Sequence, residues 1–402
     1  MNKQYELNRK KVIDAIEDNS VITLFSGVNQ KSSADGEFPF VVNRNFYHLT
    51  GINEPNLILV LTKDDSILYI EESDEFFEKW VGKKISKEAA KAQSNIDNIQ
   101  YVSEFDPAQL ADFDNKYFDL EEDTISFNKT ISQKFVEEHN INAIDVYNII
   151  AKSRSTKGPA EVTKIREALE ITNKGLNRIM DNLQPNMRES VLEAHFNFEL
   201  GCENVINAFD TIAASGVNAT TLHYVTNNEF TQDGDLILFD LGATKDLYCG
   251  DISRTYPVSG KFTPRQKELY DMVLEALELV IANIKPGVTM TDLNDLVNKH
   301  YEKELVRLNV IEDKYQVKDY YYHGVSHSLG LDTHDVGLSR EDKLVVGNVI
   351  TVEPGIYIKE ENIGIRIEDN VLVTEDGCIN LSDFIIKTTE DIERYMNNGE
   401  EA

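Results

Sequence analysis

The sequence predicts an α/β (α+β) protein of two domains. With 402 residues, the chain is long enough for two or three compact units of roughly 150 residues each. Its first part alternates short apolar runs, such as Val21–Phe25, with charged, helix-like stretches, such as Phe76–Ala92, and this alternation is typical of an α/β domain. A polar, turn-forming segment at 152–159 follows. We therefore expect an N-terminal domain at 1–155 and a C-terminal domain at 156–402.

The C-terminal part combines long helices with paired strands. Pro159 suits the first position of a helix that reaches residue 183, and a further helix is expected after Glu189. Thr263 and Pro264 are the cap and the first residue of another helix, which must end before Pro286. Strands are predicted at 236–241, 247–256, 349–358 and 364–374.

Composition excludes several classes of protein. No apolar run approaches the roughly 20 residues of a membrane-spanning helix. A formal net charge of −30 disfavours binding to nucleic acid phosphates or to anionic membranes. The 3 cysteines are too few for a disulfide framework, and the N-terminus lacks the features of a secretory signal. We expect a cytoplasmic protein that binds neither nucleic acid nor membrane.

Carboxylates stand at the ends of the apolar strands. The run Leu236–Phe239 leads directly into Asp240, and an acid at the end of a buried strand needs a partner. A hairpin that turns between Lys245 and Asp246 would place Asp251 directly opposite Asp240, with Cβ atoms about 5 Å apart. Two like charges at that distance destabilise the pair unless a positive group lies between them.

A second acid pair follows near the C-terminus. Glu353 and Glu368 are symmetric about a turn centred between Glu360 and Glu361, and His327 lies in a glycine-rich segment between the two pairs. Any one of these acids alone is better explained as a surface residue or a salt-bridged core residue. Together, four carboxylates and one imidazole suit two divalent cations, which could bind and deprotonate a bridging water. Such ligands favour manganese, cobalt or iron over a structural zinc, and no Asp-x-Asp-x-Asp-Gly loop supports the alternative of a calcium module.

Further polar residues surround this predicted centre. The histidines His223, His323 and His334 fall in the same part of the chain. An imidazole there could donate to a developing oxyanion or carry a proton to a leaving amine, although each histidine is equally explained as structural. Arg366 shares a strand face with Glu368 and could orient that carboxylate, bind a substrate carboxylate or form a plain salt bridge.

The candidate residues lie in segments that together carry a family resemblance. They are Phe-Asp-Leu-Gly around Asp240, Gly-Asp-Ile-Ser-Arg-Thr around Asp251, the histidine-rich segment 323–335, Val-Glu-Pro-Gly-Ile-Tyr from Val352, and Gly-Ile-Arg-Ile-Glu-Asp from Gly364. These segments resemble the Xaa-Pro peptidases of the methionine aminopeptidase–creatinase superfamily, and among them aminopeptidase P. The stretch 45–55 resembles the N-terminal, creatinase-like domain of that family, so the resemblance covers almost the whole chain.

The resemblance implies a C-terminal pita-bread domain with a dinuclear metal site. By this analogy, Asp240 would bind one metal, His327 and Glu353 would bind the other, and Asp251 and Glu368 would bridge both. Glu353 would also accept the proton of the bridging water. The metals would be two divalent ions, with manganese preferred and cobalt, iron or zinc as alternatives.

The resemblance also implies roles for the residues around the metals. His223 and His334 would contact the scissile amide, and His323 would line the pocket for proline. Tyr357 and Arg366 fit positions behind the ligands.

We therefore expect a metallopeptidase that removes the first residue of peptides with proline in second position, and a homodimer or higher homo-oligomer. Prolidase, which is restricted to dipeptides, shares the ligand set, but the segment 326–335 favours aminopeptidase P. A metal-free creatinase-type amidinohydrolase and a catalytically silent binding module share the fold, yet neither would need all five ligands. The single tryptophan, Trp80, receives no role.

Overall fold

The computed structural model describes residues 1–120 and 129–397. One compact unit runs from Met1 to Arg154, and a second begins at Ser155. Among the described helices, none has the length and apolar character needed to cross a membrane.

The first unit contains a mixed sheet of six strands. These are β1 (Ser20–Phe25), β2 (Ile58–Leu61), β3 (Ser66–Ile70), β4 (Asn98–Tyr101), β5 (Asn115–Phe118) and β6 (Ala143–Asp145). Their spatial order is β4-β3-β2-β1-β5-β6. Strands β1, β2 and β3 pair antiparallel, whereas β4, β5 and β6 join by parallel pairing. The predicted strand at Val21–Phe25 is confirmed as the centre of this sheet, where its apolar side chains are buried.

Helices of the first unit precede, connect or follow these strands. They are α1 (Asn2–Asp14), α2 (Arg44–Thr50), α3 (Glu75–Val81), α4 (Lys87–Ser94), α5 (Ile131–Glu138) and α6 (Tyr147–Ser155), which ends at the boundary. The single helix-like stretch predicted at Phe76–Ala92 is two helices. Gly82 has φ +85° and follows the first, and Ser86 caps the second by accepting from the N–H of Ala89.

The second unit contains the three helices predicted from the sequence, α7 (Pro159–Asn182), α8 (Glu189–Cys202) and α9 (Pro264–Asn283). It also contains three that were not predicted, α10 (Met290–Arg307), α11 (Val317–Tyr320) and α12 (Thr389–Asn397). Pro159 is confirmed as the first residue of α7. Thr263 is confirmed as the cap of α9, because its side chain accepts from the N–H of Gln266.

The strands of the second unit form small antiparallel sheets. They are β7 (Ile212–Ser215), β8 (Leu236–Leu241), β9 (Thr244–Lys245), β10 (Tyr248–Cys249), β11 (Ile252–Pro257), β12 (Val349–Val352), β13 (Gly355–Ile358), β14 (Ile363–Arg366), β15 (Asp369–Val373) and β16 (Cys378–Asn380). The sheet orders are β11-β8-β7, β10-β9, β12-β15-β16 and β13-β14. Three of the long strands predicted from sequence are therefore interrupted, and each interruption contains one of the candidate acids, Asp251, Glu353 and Glu368.

The register of the first predicted acid hairpin is wrong by two residues. Asp240 pairs with Ser253 rather than with Asp251. The turn consists of Asp246 and Leu247, which both have positive φ, as a two-residue hairpin turn requires. A shift of two residues preserves the face of a strand, so Asp251 remains on the same side as Asp240, one diagonal step away.

The register of the second acid hairpin is confirmed. Val352 pairs with Asp369 and Gly355 pairs with Arg366, so both ladders share the predicted centre of symmetry. Glu353 and Glu368 occupy equivalent positions in the gap between the two ladders. The 3-10 helix Lys359–Glu361 forms the turn.

A close approach of two strands generates a prediction about stability. A Cβ atom on Gly242 would lie 1.8 Å from the carbonyl oxygen of Gly250. We expect Gly242→Ala to lower the free energy of unfolding by about 1–3 kcal/mol through overpacking. Gly201→Ala is the control, because a Cβ there meets no atom within 4 Å and alanine favours helix α8. Urea denaturation of both variants measures the difference, and equal midpoints would contradict this backbone contact.

Candidate metal centre

The five predicted ligands converge in the second unit. Ligand atoms of Asp251, His327 and Glu368 all lie within 4.8 Å of one another. The Nε2 atom of His327 is 3.4 Å from Oδ2 of Asp251 and 3.6 Å from Oε1 of Glu353. Asp240 belongs to the same cluster, since the negative charge of Asp251 contributes to raising its pKa. The structure thus brings together acids from two hairpins and an imidazole from the segment between them.

The backbone and one ring nitrogen orient His327. Its N–H donates to Oγ1 of Thr351, and its carbonyl accepts from the N–H of Thr351. Ring atom Nδ1 lies 3.0 Å from the carbonyl oxygen of Ser328, which can only accept, so Nδ1 carries a proton. In the neutral ring, Nε2 then presents its lone pair towards the acids, as a metal ligand must.

Arg366 orients the acids that face His327. Its Nη2 atom donates to Oδ2 of Asp240 at 2.6 Å, Nη1 donates to Oη of Tyr357 at 3.0 Å, and Nε donates to Oγ of Ser253 at 2.7 Å. Ser253 in turn donates to Oε2 of Glu368 at 2.8 Å. One guanidinium therefore holds one carboxylate directly and a second through a hydroxyl.

Among the described residues, no group donates a hydrogen bond to the second oxygen atom of either carboxylate. Oδ1 of Asp240 and Oε1 of Glu368 are buried and have no donor among the described residues. Buried carboxylate oxygens are costly without a donor or a cation, and oxygen atoms with one imidazole nitrogen are a donor set for hard divalent cations. The residues present therefore fit a metal.

The electrostatics of the cluster support the same conclusion. With only protein groups around them, burial raises the pKa of Asp240 to about 6 and the pKa of Glu353 to about 7, and it raises the pKa of Glu368 well above its ordinary value. Burial alone would lower the pKa of His327, but Asp251 and Glu353 outweigh it and raise that pKa to about 9. The raised pKa values of these acids and of His327 show that the cluster favours positive charge, which bound protons or cations can supply.

His323 is a neutral ring whose nitrogens are both occupied. Nδ1 lies 2.8 Å from the carbonyl oxygen of Gly324, which can only accept, so Nδ1 carries the proton. In the neutral ring, Nε2 therefore accepts from the hydroxyl of Tyr357, also at 2.8 Å. Burial, together with the charge of Arg366, lowers the pKa of His323 to about 4. This geometry suits the wall of a pocket rather than a proton donor.

The two remaining histidines lie near the cluster. The ring of His334 packs edge to face on the ring of His327, with centroids 4.4 Å apart, and burial lowers its pKa. His223 is exposed, and its charge contributes to lowering the pKa of both His323 and His334. All site residues predicted from the sequence are therefore near one another. Ser253 was not predicted, although its position two residues after Asp251, on the same strand face, was a signal for it.

This buried cluster of acids and one imidazole, mounted on interrupted antiparallel strands, defines a metal-dependent hydrolase. The chain belongs to metallopeptidase family M24, whose family model matches residues 163–375. The model of the aminopeptidase P N-terminal domain matches residues 5–115.

Relatives and solved structures agree with this assignment. The Xaa-Pro aminopeptidase of Haemophilus influenzae is 34% identical, and the alignment covers 98% of this chain and 97% of that protein. A candidate aminopeptidase P of Bacillus anthracis is 41% identical over 99% of both chains, with a TM-score of 0.95. Aminopeptidase P of Escherichia coli, in complex with the inhibitor Pro-Leu, is 32% identical over 100% of this chain and 99% of that one, with a TM-score of 0.91. The resemblance to aminopeptidase P, the mixed α/β fold and the C-terminal pita-bread domain are thereby confirmed.

The raised pKa values generate a prediction for the protein after chelation of its metals. Glu353 and His327 have pKa values of about 7 and about 9, both above their ordinary values. The folded chain then binds more protons than the unfolded chain between about pH 6.5 and 8.5, so its stability falls as the pH rises through this window. Thermal denaturation of the chelated protein at both pH values measures the effect.

The control for this prediction is the manganese-loaded protein at the same two pH values. Cations replace the protons in the loaded cluster, so the melting temperature should be higher and should depend less on pH. Identical pH dependence with and without metal would show that these groups do not form the site.

Proposed function

We propose that this protein hydrolyses the N-terminal Xaa-Pro bond and releases the first residue of peptides with proline in second position. The convergence of the five candidate ligands, with two buried carboxylate oxygens that have no donor among the described residues, is the observation that carries the proposal. The Xaa-Pro aminopeptidases among the relatives support the choice of bond.

The proposed centre holds two divalent cations, with manganese preferred and cobalt, iron or zinc as alternatives. Asp240 would hold one cation, His327 and Glu353 the other, and Asp251 and Glu368 both. Bound cations would act as Lewis acids and would lower the pKa of water. The four carboxylates balance the charge of two such ions, which supports this stoichiometry.

The protein groups around the cations supply the remaining chemistry. We assign to Glu353 the acceptance and return of a proton, a role that suits a half-buried carboxylate whose Oε1 lies 3.6 Å from Nε2 of His327. His223 and His334 would contact the scissile amide, and Tyr357 would hold His323 as a wall for the proline ring. Such a wall matters because the amide of an Xaa-Pro bond has no N–H for ordinary backbone recognition.

Arg366 is not available to bind a substrate carboxylate. A prolidase must bind the carboxylate of the proline itself with a positive group. Each nitrogen of Arg366 already bonds a protein group, and the side chain is only 5% exposed. We therefore assign Arg366 to the orientation of Asp240 and Glu368 rather than to the substrate carboxylate.

Four further properties stay proposals drawn from the sequence. They are a domain boundary between residues 155 and 156, a cytoplasmic location, assembly as a homo-oligomer, and no nucleic acid or membrane partner. The net charge of −30 supports the last of these.

The bridging role of Asp251 predicts a loss of activity without a loss of fold. We expect Asp251→Asn to lower turnover in excess manganese by more than about 100-fold, because a neutral amide cannot bridge two cations. This loss exceeds the roughly 10- to 100-fold loss that is usual when a residue that only hydrogen-bonds to a metal ligand is replaced. Initial rates and circular dichroism measure activity and fold. Asp233→Asn, an exposed acid in the turn before β8, is the control. A folded Asp251→Asn enzyme with more than a few per cent of the activity refutes the role.

Peptide length tests the proposed function itself. An aminopeptidase leaves the space beyond the proline ring open, so we expect Xaa-Pro-Yaa tripeptides to be cleaved at least as fast as matching Xaa-Pro dipeptides. Initial rates on a dipeptide, a tripeptide, a pentapeptide and a peptide without proline decide this. Cleavage of the dipeptide alone would make the protein a prolidase.

A further inference from the structure

A buried carboxylate outside the ligand set, Glu189, holds the segment that carries His223. Glu189 is the first residue of α8 and is 0% exposed. Its two oxygens accept hydrogen bonds from five donors, all within 215–229. Oε1 accepts from the N–H and Oγ of Ser215 and from Nδ2 of Asn218, and Oε2 accepts from Oη of Tyr224 and the N–H of Glu229.

The chemistry of this cluster requires a carboxylate. Among the described residues, no lysine or arginine forms an ion pair with Glu189, so neutral N–H and O–H groups alone compensate its burial. A carboxylate can accept at both oxygens, whereas a glutamine would present an NH2 group to two or three of the donors. A fully buried acid that accepts hydrogen bonds from five donors in one segment fixes the conformation of that segment.

Contacts of the two neighbouring residues hold the chain on both sides of His223. Its neighbours Leu222 and Tyr224 both pack against the apolar cluster that contains Tyr357, whereas His223 itself is exposed. The hydroxyl of Tyr224 is 2.9 Å from Oε2 of Glu189. Glu189 thus holds the residue directly after His223.

A second anchor lies three residues before His223. The hydroxyl of Tyr322, which precedes His323, donates to the carbonyl oxygen of Thr220 at 2.7 Å. The turn with His223 therefore lies between two hydrogen bonds, one from Tyr322 to Thr220 and one from Tyr224 to Glu189 in α8. We expect the loss of either hydrogen bond to let the turn move relative to the metal ligands.

We propose that Glu189 is a positioning residue that acts through Tyr224 to hold His223 against the substrate. This inference rests on the proposed function, in which His223 contacts the scissile amide. Tyr224→Phe removes the hydroxyl with little change in shape. We expect it to lower kcat about tenfold with little change in KM, since small misplacements of a reacting group cost rate rather than binding.

The matched control is Tyr270→Phe in helix α9. It also loses a hydroxyl that donates one hydrogen bond, to the carbonyl oxygen of Lys387, but it should keep kcat. Manganese affinity, measured by titration calorimetry, should be unchanged in both variants. Glu189→Gln is the stronger variant, with an expected loss of about 100-fold where it folds.

A double-mutant cycle separates positioning from general damage. In the background of His223→Ala, Tyr224→Phe should have no further effect on kcat, because its action passes through His223. An equal loss in both backgrounds, or no loss in the wild-type background, would overturn the proposal.

A spectroscopic measurement keeps this test distinct from a failure of the proposed function. NMR of the histidine side chains should show that Tyr224→Phe shifts the resonances of His223 while Tyr270→Phe does not. If the wild-type protein cleaves no Xaa-Pro peptide, the proposed function fails, and these resonances alone decide whether Glu189 and Tyr224 hold His223. Unshifted resonances would overturn the positioning role.

Discussion

The candidate site depends on one buried guanidinium, that of Arg366. Every N–H of an arginine can only donate, so each partner of this side chain must present an acceptor. Asp240, Ser253 and Tyr357 all accept from Arg366. The hydroxyls of Ser253 and Tyr357 in turn donate to acceptors in the site, a carboxylate oxygen of Glu368 and Nε2 of His323. A buried ion pair adds little net stability, although losing one partner costs about 3–5 kcal/mol. The contribution of Arg366 to the site is therefore the orientation of its neighbours, directly for Asp240 and through a hydroxyl group for Glu368 and His323.

The interruptions in the strands allow the ligand side chains to take orientations that a regular sheet does not allow. Asp251, Glu353 and Glu368 each lie where a ladder stops, and an unbroken pleat would keep their side chains at fixed spacings on fixed faces. Such gaps expose backbone groups that must find other partners. The fully buried Arg254 supplies some of them, since it donates to the carbonyl oxygens of Ser253 and Glu368.

The sequence predicted the acids better than it predicted the groups that orient them. The register of Glu353 and Glu368 followed from symmetry alone, because the turn lies midway between them. The pairing of Asp240 missed by two residues, because the turn places Leu247 at a positive φ, which a branched aliphatic side chain rarely adopts. No sequence pattern indicated the role of Glu189. Its donors come from a segment 26 to 40 residues away, so only the folded chain reveals them.

Glu189 and Glu368 show what distinguishes a metal ligand from a structural acid in this fold. Both are buried carboxylates, but Glu189 has five donors and needs no cation, whereas one oxygen of Glu368 has none among the described residues and lies beside other acids. Burial and the neighbouring acids accordingly raise the pKa of Glu368, which is the effect expected where a positive charge is missing. Protons and cations compete for the same oxygens. Metal loading, pH and the stability of the second unit are therefore one linked equilibrium.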